Sequence, residues 1–132
     1  MRIISFGWTA IALLTGNKTV TRREWTESYA ESFYKGEYLQ AYEKSLRYVG
    51  KHIATIQLTN NPYKEWSANC SDWHAEGFQF LTEHNIKSNG HSPKEILADW
   101  QTNPRMLWVV RFQLLNITEA GKSILRNFKK EK

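Results

Sequence analysis

Residues 13–25 read "LLTGNKTVTRREW", and what this stretch does decides both fold and function class. Gly16 and Asn17 are the two residue types best able to take the left-handed backbone that ends a helix. The β-branched run after them, "KTVTRR", suits a strand. Lys18 follows the turn, where its side chain can reach across a pocket mouth to hold phosphate. Once desolvated, it can instead act as a base. Thr21 offers a hydroxyl nucleophile to a base that removes its proton. Arg22 and Arg23 offer planar, multi-donor contacts to phosphate or a base edge. Local chemistry leaves three readings open: a surface hairpin with solvated cations, a nucleic-acid grip, or an active site. Geometry adds a condition. Residues three apart on a regular strand point to opposite faces, so Lys18 and Thr21 meet only if Lys18 still belongs to the turn.

Working outward, "RIISF" at 2–6 is a strand candidate, and Trp8, Ile11, Ala12 and Leu14 recur at helical spacing. Downstream, Trp25, Tyr29 and Phe33 are spaced by four, which predicts a second short helix over 26–34. "KGE" at 35–37 is a turn, and "YLQAYE" and "HIATIQLT" read as strands joined through Gly50. "SDWHAEGFQFLTEHNI" is helical in part, weakened by Gly77. Ser92, Pro93 and Glu95 form a helix start with serine cap, proline at the first turn and returning glutamate. That helix runs through Ile96, Leu97 and Trp100 to Asn103-Pro104, and "MLWVVRFQLLNI" is the longest strand. Short helices among about five strands predict an α+β domain on a mainly antiparallel sheet, closed into a small barrel that removes its own edges.

A chain of 132 residues with 41% hydrophobic and 23% charged residues fits one globular domain, over residues 1–120. Residues 121–132 read as a basic C-terminal tail, with Lys129, Lys130 and Lys132 frayed at the end. The net charge of +5 favours an anionic partner, nucleic acid first, though part of that excess sits in the tail. One cysteine, Cys70, excludes an intrachain disulfide and reads as a plain buried thiol. His52, His74, His84 and His91 show no ligand spacing, so neither a metal nor a cofactor is expected. No apolar run reaches membrane-span length, and the N-terminal segment lacks a cleavage pattern; the expected location is cytoplasmic, with no membrane partner. No phosphate-loop, dinucleotide or hydrolase-elbow motif is present.

Together, Gly16, Lys18, Thr19, Thr21, Arg22 and Arg23, the "FYKGE" turn at 33–37, "DWHAEGF" at 72–78 and "LWVVRFQLL" at 107–115 resemble the ASCH domain family. The resemblance runs from about residue 3 to 117, around an aromatic-rich insert near 60–73. It implies a PUA-like small β-barrel with flanking short helices and a basic cleft that takes RNA or a nucleoside. Some small members hydrolyse the amide of N4-acetylcytidine. By motif match their catalytic roles fall on Lys18, Thr21 and Glu76. Thr19, Arg22, Arg23, Trp8, Trp25 and Trp73 are then the candidate binding residues, although the residues themselves read Trp8 and Trp25 first as core. Two other classes stay open, a non-catalytic RNA-binding module and a ribonuclease.

Overall fold

The computed structural model describes residues 1–44 and 49–130; Lys132 of the expected tail lies outside them. The elements run β1 (Arg2–Ser5), α1 (Ala10–Leu14), β2 (Val20–Arg23), α2 (Glu27–Glu31), β3 (Tyr38–Tyr42), β4 (His52–Leu58), β5 (Tyr63–Trp66), α3 (Phe78–Glu83), α4 (Pro93–Thr102), β6 (Met106–Ile117) and α5 (Glu119–Lys130). Strand β6 is the spine. Its C-terminal half pairs antiparallel with β4, and its N-terminal half lies between β2 and β5. Strand β3 extends the sheet from β4, and β1 joins β3 in parallel.

The sheet order is therefore β1-β3-β4-β6-β2, with β5 on β6. Irregularities at Ala41/Tyr42 and Thr55/Ile56 bend it, as an inserted residue does when it locally increases strand twist. The result is a curled half-barrel, which corrects the expected closed barrel: the terminal strands β1 and β2 do not pair with each other.

The inside of the curl holds Leu13, Leu39, Ile53, Ile56, Leu58, Val110 and Phe112, all buried. Each such side chain contributes about 1.5–3 kcal/mol through removal from water. Helix α1 separates this core from a second one. Leu13 and Leu14 face the curl, while Ala12 joins Phe78 and Leu81, with Trp8, Trp73 and Trp100 packed around them. Trp25, Tyr29 and Phe33 pack together around α2, which is shorter than the predicted 26–34: Trp25 and Phe33 stack with ring centroids 4.6 Å apart, and Tyr29 meets both edge-on. The predicted helix start at Ser92 is present with both reciprocal hydrogen bonds to Glu95.

Two expectations need correction. The aromatic insert contains a sixth strand, β5. The frayed basic tail is a helix over its described part, because Ile124 and Leu125 pack against the core. Gly121 permits this docking: a Cβ there would lie 2.2 Å from the Ile53 carbonyl oxygen.

Candidate functional site

Lys18 belongs to the turn, two residues before β2 begins at Val20. Asn17 N–H bonds the Ala12 carbonyl at 2.8 Å, ending α1. The Thr19 and Val20 amides both reach the Ala75 carbonyl, at 2.8 and 3.2 Å, and fasten the turn to the segment before α3. Strand alternation therefore does not apply between Lys18 and Thr21, and both line one cavity.

Gly77 makes the approach possible. It sits at φ +87° as the N-cap of α3, and a Cβ on it would lie 2.8 Å from Ala12 Cβ and 3.3 Å from Lys18 Cβ. Gly77→Ala is expected to cost about 2–3 kcal/mol from left-handed strain plus overpacking. Urea denaturation checks this, and a cost below about 0.5 kcal/mol, the range of a neutral surface change, would contradict the reading.

Lys18 Nζ donates to Glu76 Oε1 at 2.9 Å and to the Glu76 carbonyl at 3.0 Å. The two side chains are only 2% and 3% exposed. The other Glu76 oxygen, Oε2, accepts from Arg22 Nη1 at 2.7 Å. Arg22 Nη2 reaches Glu65 Oε1 at 2.7 Å and Asp72 Oδ2 at 2.6 Å. Asp72 in turn takes Arg111 Nη2 at 2.9 Å. Burial lowers the Lys18 pKa from the ordinary lysine value, against the opposing pull of Glu76. Burial also disfavours the Arg22 charge, yet its bonds to Glu65, Asp72 and Glu76 hold it above the usual arginine range. Burial pushes Asp72 up, but hydrogen bonds from Arg111 and Arg22 hold it below the usual carboxylate value.

Arg23 forms no ion pair with any described residue. Its Nε donates to Thr21 Oγ1 at 3.2 Å and its Nη2 to the Ser5 carbonyl at 2.6 Å. That second bond spans the gap between β1 and β2, and the cavity, of about 340 Å³, opens in this gap. Phe6, Trp8, Phe78 and Trp100 supply its aromatic lining.

Of the candidate residues, the structure brings Lys18, Thr21, Arg22, Arg23, Glu76 and Trp8 to this cavity. Thr19 faces out toward His74 and Gln79. Trp25 packs on the main core, and Trp73 packs edge-on against Phe78 with its indole N–H on Gln79. Sequence reasoning missed Glu65 and Asp72 as partners of Arg22, and Arg111 as a further partner of Asp72. Asp72 and Arg111 lie inside the quoted "DWHAEGF" and "LWVVRFQLL" stretches, while Glu65 lies in neither. Among the described residues no three His, Cys, Asp or Glu side chains gather as a metal site. Nor is any helix there long and apolar enough to cross a membrane.

The fold has a solved counterpart. The crystal structure of protein EF3133 from Enterococcus faecalis V583, described as DUF984, aligns at a TM-score of 0.52. The alignment covers 89% of this chain and 82% of that one, at 16% identity. Such a likeness shows the fold alone: a mixed α+β domain on a curled half-barrel. No family model matches the chain, and no curated protein matches it.

Proposed function

We propose that the chain is an ASCH domain of the PUA-like kind, and that its cavity binds a nucleoside and hydrolyses the amide of an acylated cytidine such as N4-acetylcytidine. One observation carries the reading: a buried lysine, held by Glu76, shares a cavity with a threonine hydroxyl. Around it stand four cations, Lys18, Arg22, Arg23 and Arg111, against three carboxylates, Glu65, Asp72 and Glu76. Of these, Lys18, Arg22 and Glu76 are at most 3% exposed, two deeply buried cations sharing one carboxylate, a strain that loss of a proton relieves most cheaply. Lys18 is the member able to lose one.

As a neutral amine, Lys18 spends its two hydrogens on the Glu76 carbonyl and carboxylate, leaving a lone pair for the Thr21 proton. Thr21 Oγ then attacks the acetyl carbonyl. The tetrahedral adduct expels the cytosine N4, which takes the proton back from Lys18, and water hydrolyses the acetyl-threonine ester to acetate. Arg23, already donating to Thr21 Oγ1, stabilises negative charge developing there. Both Glu76 oxygens are occupied, so its role is to hold Lys18 rather than to deliver a proton. The aromatic lining suits a pyrimidine ring, and about 340 Å³ lies at the small end of ligand sites, which span roughly 300–1,000 Å³.

The test is incubation with N4-acetylcytidine while following cytidine and acetate. Wild type is expected to release both, and Thr21→Ala neither. Absence of product from folded wild type, or product from Thr21→Ala at the wild-type rate, sinks the reading.

A second reading, RNA held without chemistry, rests on a separate observation. Lys122, Arg126, Lys129 and Lys130 are all exposed on α5 and fall on one side of the helix by their spacing. RNA affinity that drops steeply with salt, without hydrolysis, is what that reading requires.

A further inference from the structure

Arg22 is the least exposed arginine of the site, at 1% for its side chain, and both of its terminal nitrogens are bonded to carboxylates. Nη1 is on Glu76, Nη2 is on Glu65 and Asp72, and Nε is buried without a partner. We propose that Arg22 is a positioning residue rather than a ligand contact: it divides the Glu76 carboxylate with Lys18, and Asp72 on its far side governs how strongly it draws on Glu76. The inference rests on the reading of Lys18 as the base of this cavity, and it adds the device that sets when that base is available.

The geometry makes the division explicit. One carboxylate is gripped at one oxygen by Lys18 and at the other by Arg22, at 2.9 and 2.7 Å, and all three side chains are at most 3% exposed. Whatever negative charge Arg22 draws from Glu76 is charge that Lys18 does not feel. On the other side of Arg22, Asp72 and Glu65 compete with Glu76 for the same guanidinium, and Arg111 from β6 competes with Arg22 for Asp72. The chain Lys18–Glu76–Arg22–Asp72–Arg111 alternates in sign from the cavity to the half-exposed surface. Arg23 faces the set from the cavity side, and the half-buried Cys70 thiol, raised by burial, lies close enough to feel Arg22, Glu76 and Asp72.

Alternation fixes the direction of each substitution. Arg22→Met removes a neighbouring cation and returns the whole of Glu76 to Lys18, so Lys18 holds its proton to higher pH. Asp72→Asn removes an anion and frees Arg22 to lean on Glu76, so Lys18 gives up its proton at lower pH. Arg22→Lys keeps the charge and restores the wild-type behaviour. A purely structural role for these residues gives no reason for shifts of opposite sign.

The experiment follows the Lys18 side-chain resonance of lysine-labelled protein through a pH titration by NMR. The hydrolysis pH profile is measured on the same samples. The expected result is an upward move for Arg22→Met, a downward move for Asp72→Asn, and none for Arg22→Lys, with the rising limb of the rate profile tracking each. Circular dichroism confirms that each variant is folded; should Arg22→Met fail to fold, the Asp72→Asn and Arg22→Lys pair carries the test. Shifts of the same sign, or an unmoved Lys18 in folded variants, overturn the proposal. The resonance is read without turnover, so a protein that does not hydrolyse N4-acetylcytidine loses the base assignment while the division of Glu76 is still decided.

Discussion

Glu76→Ala is expected to cost about 3–5 kcal/mol of folding stability, the loss seen when one member of a buried charge network is removed. The substitution takes away the anion between Lys18 and Arg22 and leaves two buried cations facing each other. Arg22 retains Glu65 and Asp72. Lys18 retains only the carbonyl at position 76, so its ammonium bears most of the penalty. That gives the cost a pH signature. The folded Lys18 pKa is already below the ordinary 10.5, and the loss of Glu76 pushes it further down. Between the folded value and 10.5 the unfolded chain binds a proton that the folded chain does not, so stability rises with pH across that window.

The Asp72 carboxylate works at the other end. Its folded pKa lies below 3.8, so its contribution is present above that value and is lost as pH falls through the folded one. Urea unfolding of wild type and variant, at neutral pH and again toward 10.5, is the measurement. A cost under about 1 kcal/mol, the worth of an exposed ion pair, or a variant that weakens as pH climbs would contradict the geometry.

Lys18→Met is expected to lower amide hydrolysis by about 10²–10⁴-fold, the usual share of a positioned acid–base group, while leaving the domain folded. Methionine fills much of the lysine stem's volume with apolar atoms, and Glu76 remains bonded to Arg22 at 2.7 Å. The stability change is therefore well below that of Glu76→Ala, although both substitutions break the same contact. Steady-state turnover of N4-acetylcytidine beside urea midpoints separates the two effects. A folded Lys18→Met enzyme with wild-type turnover would remove lysine from the chemistry.

Much of this arrangement was legible in the chain because it is local. The Gly16-Asn17 turn before Lys18, the spacing of Trp25, Tyr29 and Phe33, the Ser92 cap and the length of β6 are all written within a dozen residues. The partners of Arg22 are not. Glu65, Asp72 and Glu76 lie 43 to 54 residues away in sequence, and only the curl of the sheet brings them around one guanidinium. Strand β5 was missed because "YKEW" has no apolar alternation and is mostly exposed. It becomes a strand by pairing with β6, a non-local cause. Helix α5 was misread because three lysines and an arginine stand out among its twelve residues, while the apolar Ile124, Leu125 and Phe128 that pack against the domain are scattered between them.

The unpaired seam between β1 and β2 has a mechanical consequence. Elsewhere in the sheet, neighbouring strands are stitched by several backbone hydrogen bonds, and parting them means breaking a ladder. Across the cavity mouth the Arg23 bond to the Ser5 carbonyl bridges the two edges, and such a bond is worth only about 1.5–3 kcal/mol when its donor is charged. The mouth is thus held more weakly than the paired strands of the sheet. Widening it to admit or release a ligand disturbs one guanidinium contact and leaves every strand pairing intact.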